Sequence, residues 1–135
     1  MVSSALQASH PNLPLVLFAH SMGSFVGQTL IGEHGAAYRG VVLSGSNGPP
    51  GALEATVRLI ASLQLRTLGG RAPGSWTQRL VMGSYNRQFA PTRTPSDWLS
   101  RDPAEVDRFE ADPLCGTPLT TQSWRDFLAG KRRLG

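Results

Sequence analysis

An α/β architecture, in which a parallel strand, helix, strand unit leads into a mostly helical segment, is the fold class this sequence predicts. Two apolar runs carry the strands: Leu15-Val16-Leu17-Phe18-Ala19 and Gly40-Val41-Val42-Leu43-Ser44, nearly uninterrupted by polar residues, as in strands covered on both faces. Between them residues 22–34 have a helical pattern, and Gly35 supplies a stop. Joined in this way the strands run parallel, because the helix returns the chain to the end where the first strand began. Beyond the second strand the pattern changes to short helices punctuated by proline and glycine. The chain therefore divides into an α/β portion, 1–48, and a helical portion, 49–135.

The elements follow in order. The first residues, from about 5, read as the end of a helix, and Pro11-Asn12-Leu13-Pro14 punctuates before the first strand. In the helix between the strands, Gly23 and Gly27 are four apart and share a face, which lets the helix lie close on the sheet at about 1 kcal/mol per interior glycine. Gly45-Ser46-Asn47-Gly48-Pro49-Pro50-Gly51 is loop by composition. Residues 54–68 put Val57, Ile60, Ala61 and Leu65 at helical spacing with arginines opposite, and 76–82 begins a short helix. Asp102 and Pro103 have the chemistry of an N-cap and a first helical residue for a helix over 104–111. Pro113, Gly116 and Pro118 then break the pattern before a last helix, about 121–129, capped by Thr120 or Thr121.

The clearest chemical signal is Ala19-His20-Ser21-Met22-Gly23, at the junction of the first strand and the helix. It reads as a nucleophile elbow: the serine sits on a strained turn, its hydroxyl clear of the sheet edge and the helix N-terminus beneath it. Small residues two before and two after the serine are needed where strand and helix backbones nearly touch, and Ala19 and Gly23 meet that need. A serine at such a junction can also be simply an N-cap, its oxygen accepting a first-turn N–H.

Composition bounds the rest. The 135 residues, 40% hydrophobic and 16% charged, suffice for one domain or part of one that buries about two thirds of its surface. No run approaches the ~20 apolar residues of a membrane span, and the start lacks a basic segment and a long apolar run, so neither a transmembrane segment nor a signal peptide is expected. A single cysteine, Cys115, excludes an internal disulfide, fits a cytoplasmic location and reads as a small buried hydrophobe. The net charge of +4 is dispersed, with stretches such as Asp107-Arg108-Phe109-Glu110 mixing signs, so nucleic acid is not the expected partner. Lys131-Arg132-Arg133 is the one basic run and reads as a tail. Asp97, Asp102, Glu105, Asp107, Glu110 and Asp112 lie among arginines without clustered histidine or cysteine, which predicts a solvated face and no metal or other cofactor. Trp76, Trp98 and Trp124, with Phe89 and Phe109, are expected in the helical core, some of them available to line an acyl channel.

These residues carry a family resemblance. Residues 15–51 resemble the middle of an α/β-hydrolase, and Phe18-Ala19-His20-Ser21-Met22-Gly23-Ser24 with Val41-Val42-Leu43-Ser44-Gly45 is similar to the serine aminopeptidase S33 superfamily, in particular its lysophospholipase and monoacylglycerol lipase-like branch. Gly83-Ser84-Tyr85-Asn86, Asp97-Trp98-Leu99-Ser100-Arg101-Asp102 and Asp112-Pro113-Leu114-Cys115-Gly116 resemble the cap of bacterial members of that branch. The resemblance implies a partial α/β-hydrolase fold, a core at 1–48 and a helical cap or lid at 49–135.

It further implies that Ser21 attacks an ester carbonyl, that the Met22 N–H is one oxyanion-hole donor, and that Ala19, His20 and Gly23 support the elbow. The implied substrate is a small lipid or other carboxylic ester, with an S33-type peptidase or a non-catalytic binding remnant as alternatives. The family's acid and histidine follow the cap, after further strands, so this chain alone is expected to be catalytically incomplete, with the missing half of the fold supplied by another chain. None of the local histidines substitutes. His20 points to the opposite strand face, His34 lies about 20 Å along the helix, and His10 precedes the strand.

Overall fold

The structure, a computed structural model, describes residues 2–47 and 52–131. In chain order these form α1 (Val2–Ser9), β1 (Val16–His20), α2 (Met22–His34), β2 (Gly40–Ser44), α3 (Ala52–Leu68), α4 (Ser75–Asn86), α5 (Pro103–Ala111) and α6 (Thr121–Lys131). Gly48-Pro49-Pro50-Gly51 of the expected loop, and Arg132 and Arg133 of the basic run, lie outside the described residues. The chain forms two compact units, residues 1–50 with 130–135, and 51–129.

In the first unit β1 and β2 pair in parallel, Val16 beside Gly40 and His20 beside Ser44. A bond from the Arg39 N–H to the Leu15 carbonyl at 2.7 Å continues the ladder beyond the strand ends. Helix α2 lies on β1 at Gly27, where an added Cβ would come within 2.8 Å of the Ala19 Cβ. That close approach is the one expected of the glycine pair, but only Gly27 serves it. Gly23 faces open space, with nothing within 4 Å of an added Cβ, so the steric reason given for a small residue there does not hold. The α-helix stops at His34 with Gly35 as its C-cap, as expected; Gly35 has a right-handed φ of −57° and begins a 3₁₀ turn, Gly35–Ala37. The turn is held from α1, where Gln7 Nε2 donates to the Ala37 carbonyl and the Ser3 and Tyr38 hydroxyls bond at 2.8 Å.

The second unit packs α3, α4 and α6 around Val57, Ala61, Trp124 and Leu128, with Leu80, Val81 and Met82 against them. The buried Gln64 of α3 accepts from both the N–H and the hydroxyl of Thr77 at 2.9 and 2.6 Å, satisfying a first-turn donor of α4. Residues 69–74 run beside 119–122, with Gly74 N–H donating to Leu119 and Thr121 N–H to Ala72. Gly74 is required there, because a Cβ would lie 2.4 Å from Trp124 Cδ1. Helix α4 continues to Asn86, past the short helix expected from 76–82, and runs into a 3₁₀ turn, Arg87–Phe89. Trp124 is core as expected, but Trp76 is 50% exposed. Cys115 is half-buried, not buried. Among the described residues no helix is long and apolar enough to cross a membrane.

Candidate active site

Backbone hydrogen bonds and one buried side chain build the turn at Ser21. Strand pairing extends one residue past β1, the Ser21 N–H donating to the Ser44 carbonyl at 2.9 Å. The chain then turns at once, with Ser21 at φ 51° and ψ −124°, the one positive-φ residue other than glycine among those described. Such backbone costs a non-glycine residue about 1–3 kcal/mol and persists only where its surroundings impose it. The surroundings here are named groups. Ser24 N–H and Ser24 Oγ both donate to the Ser21 carbonyl, at 2.9 and 2.6 Å, and Ser24 is fully buried.

Ser21 stands at the N-cap position of α2, yet its side chain makes no capping bond. The hydroxyl is exposed, with no hydrogen-bond partner among the described residues. Met22 follows as the first residue of α2, where a backbone N–H has no partner within its own helix and sits at the positive end of the dipole. Gly23 completes the first turn.

His20 is exposed, and its Nδ1 lies 3.0 Å from the Ser44 hydroxyl, tying the last residues of both strands together. Gly45 follows at φ 60°, and an added Cβ would meet His20 Cε1 at 3.4 Å, so the chain leaves β2 beside that ring. Gln28 of α2 donates to Ser46 Oγ at 2.7 Å, holding this loop to the helix. Ser24, Gln28 and Ser44 are therefore supports that the sequence reading passed over. Only the position of Ser24, three after Ser21, carried a local signal for its back-bond. His10 follows α1 and His34 ends α2; neither is hydrogen-bonded to Ser21.

In the second unit the carboxylates expected on a solvated face do more than face water. Asp97 accepts from the Thr94 hydroxyl and N–H and from the Arg93 N–H; the Thr94 hydroxyl bond leads in holding its carboxyl below the usual range. Asp102 caps α5 through the Ala104 N–H at 2.9 Å, as predicted, and Asp112 accepts from Leu114 N–H. Arg93 pairs with Asp107 at 2.6 Å, and that bond leads in raising its pKa. The Cys115 thiol is pushed up, by burial first and then by Asp112, so it stays protonated.

A family profile described as serine aminopeptidase, S33 matches residues 1–134. The chain belongs to the serine aminopeptidase S33 family. A solved structure similar to this S33 chain is that of a highly thermostable carboxyl esterase from Bacillus coagulans in complex with glycerol, with a TM-score of 0.78 and 26% identity. The match covers 95% of this chain and 42% of the esterase, so the chain spans less than half of that protein's length. No curated protein sequence matches it. With its parallel strands and helices, the S33 chain has a partial α/β-hydrolase fold.

Proposed function

We propose that this chain is the nucleophile-bearing and cap portion of a carboxylic ester hydrolase, with Ser21 as nucleophile and the Met22 N–H as one oxyanion donor. The observation that carries the reading is Ser21 itself. It is an exposed hydroxyl on strained backbone between a parallel strand and a helix start, and it caps nothing. A hydroxyl so placed can reach a carbonyl carbon while the oxygen of that carbonyl takes the helix-terminal N–H. Ala19, His20 and Gly23 frame the turn. The substrate class is a monoacylglycerol or lysophospholipid; glycerol, present in the similar esterase structure, is the alcohol that a monoacylglycerol would release.

The base and acid come from further polypeptide, which also completes the sheet. Alone, the chain hydrolyses p-nitrophenyl butyrate no faster than its Ser21→Ala variant, because nothing removes the serine proton. Exchanged for the matching portion of the thermostable esterase, which supplies that base, it hydrolyses the ester, and Ser21→Ala lowers turnover by roughly 10³-fold or more. A folded chimera whose turnover ignores Ser21 refutes the reading. A chimera that cleaves aminoacyl p-nitroanilides in preference to esters assigns a peptidase instead.

A further inference from the structure

The second unit contains an open cavity of about 510 Å³ between the segment 89–101 and α5. Pockets for small molecules are commonly about 300–1,000 Å³, apolar, with a few placed polar groups. Val106 of α5, only 2% exposed, is its floor. Trp98 and Leu99 form a wall, and Phe89 stands at its side 54% exposed.

This segment is ordered by its own polar groups. The buried Asn86 side chain donates to the Thr94 carbonyl and accepts from the Trp98 N–H, at 2.8 and 3.1 Å. With Asp97 gripping residues 93 and 94, the loop backbone is fixed without burying Phe89 or Leu99. Its apolar side chains are left at the surface of a concavity.

The charges there are unequal in standing. Arg93 is paired with Asp107, and Asp97 is occupied by its three donors. Arg101 also lines the cavity but has no hydrogen bond or ion pair among the described residues. Beside it the Ser100 hydroxyl accepts from the Asp102 N–H, leaving its own proton to give.

We propose that this cavity binds an amphiphilic monocarboxylate, its hydrocarbon against Phe89, Trp98, Leu99 and Val106 and its carboxylate on Arg101 and Ser100. A planar guanidinium suits a carboxylate fork. One unpaired cation next to Asp97 and Asp102 favours a single negative charge over a doubly charged phosphate. The site lies wholly in the second unit and needs no ester chemistry, so it stands or falls separately from the role of Ser21.

The test titrates the chain with decanoate below its micelle concentration, by calorimetry and tryptophan emission, with decanol and decyl phosphate in parallel. Decanoate binds saturably and more tightly than either. Arg101→Ala weakens decanoate about tenfold and leaves decanol unchanged, Arg101→Lys, which keeps the charge but loses the planar fork, recovers only part of the loss, and Phe89→Ala weakens both. Trp98→Phe removes the emission change while the calorimetric signal remains. The proposal is overturned by decanoate that does not saturate, by Arg101→Ala binding like the wild type, or by decanol or decyl phosphate binding as well as decanoate.

Discussion

At Ser21 the backbone and the side chain obey different demands. The backbone is held at φ 51° by bonds to Ser44 and from Ser24, while the hydroxyl bonds to nothing described. Ser21→Ala therefore changes stability by less than about 0.5 kcal/mol, where loss of a true N-cap costs ~1 kcal/mol. Ser21→Gly, which relieves the strain, stabilises by about 1 kcal/mol after the extra entropy of a glycine in the unfolded chain. Urea unfolding followed by circular dichroism measures both; a Ser21→Ala loss near 1 kcal/mol returns the residue to a capping role. Ser24→Ala removes a buried bond and costs about 1–2 kcal/mol, and in the esterase chimera it lowers kcat through the elbow's geometry.

Elements are fixed here by spacing and by loops. Gly27→Leu forces side-chain atoms into Ala19, where even a Cβ sits at 2.8 Å, and lifts α2 from β1 at a cost of about 1–3 kcal/mol. A variant as stable as the wild type in the same urea titration contradicts that packing. In the segment between α4 and α5, Asp97 has its carboxyl held below the usual range and so grips Thr94 and Arg93 as an anion. A lowered folded pKa gives stability that is present above the unfolded value, about 3.9, and lost as pH falls through the folded one. Amide exchange at Trp98 is accordingly faster in Asp97→Ala than in wild type at pH 6, and the difference disappears as the pH is lowered through the acid range. A difference that persists in acid shows that the carboxylate charge is not what holds the loop.

For the molecule as a whole, the decisive fact is the exposure of the sheet. Val16, Phe18, Val41, Val42 and Leu43 are all exposed, Phe18 by 67%, and the sheet among the described residues has two strands, each with an unpaired edge. Apolar faces and open edges of this kind self-associate. The purified chain is expected to sediment above its monomer mass of 14.5 kDa, and Phe18→Asp to shift it toward monomer. A monomeric wild type with a cooperative near-UV unfolding transition contradicts this. Supplying the complementary strands from the esterase raises stability and removes self-association together, since both have one cause.

By itself the sequence determined the periodic and the locally capped parts of this protein. The two apolar runs, the bounds of α2, the Asp102-Pro103 start of α5 and the strand, serine, helix junction were legible because each is set by neighbours within a turn or a strand. Thr120, one of two cap candidates for α6, is the one that accepts the Ser123 N–H, by the same local rule. Tertiary structure decided what depends on distant backbone. It made Gly27 and not Gly23 the point of contact, left Trp76 at the surface while burying Trp124 against Gly74, and carried Gly35 into a turn held by α1. It also brought Ser44 to Ser21 and His20 across 23 and 24 residues, and gathered Asn86, Thr94, Asp97 and Trp98 into one hydrogen-bonded loop beside a cavity. Such contacts join residues whose spacing follows no period, so no pattern along the chain announces them.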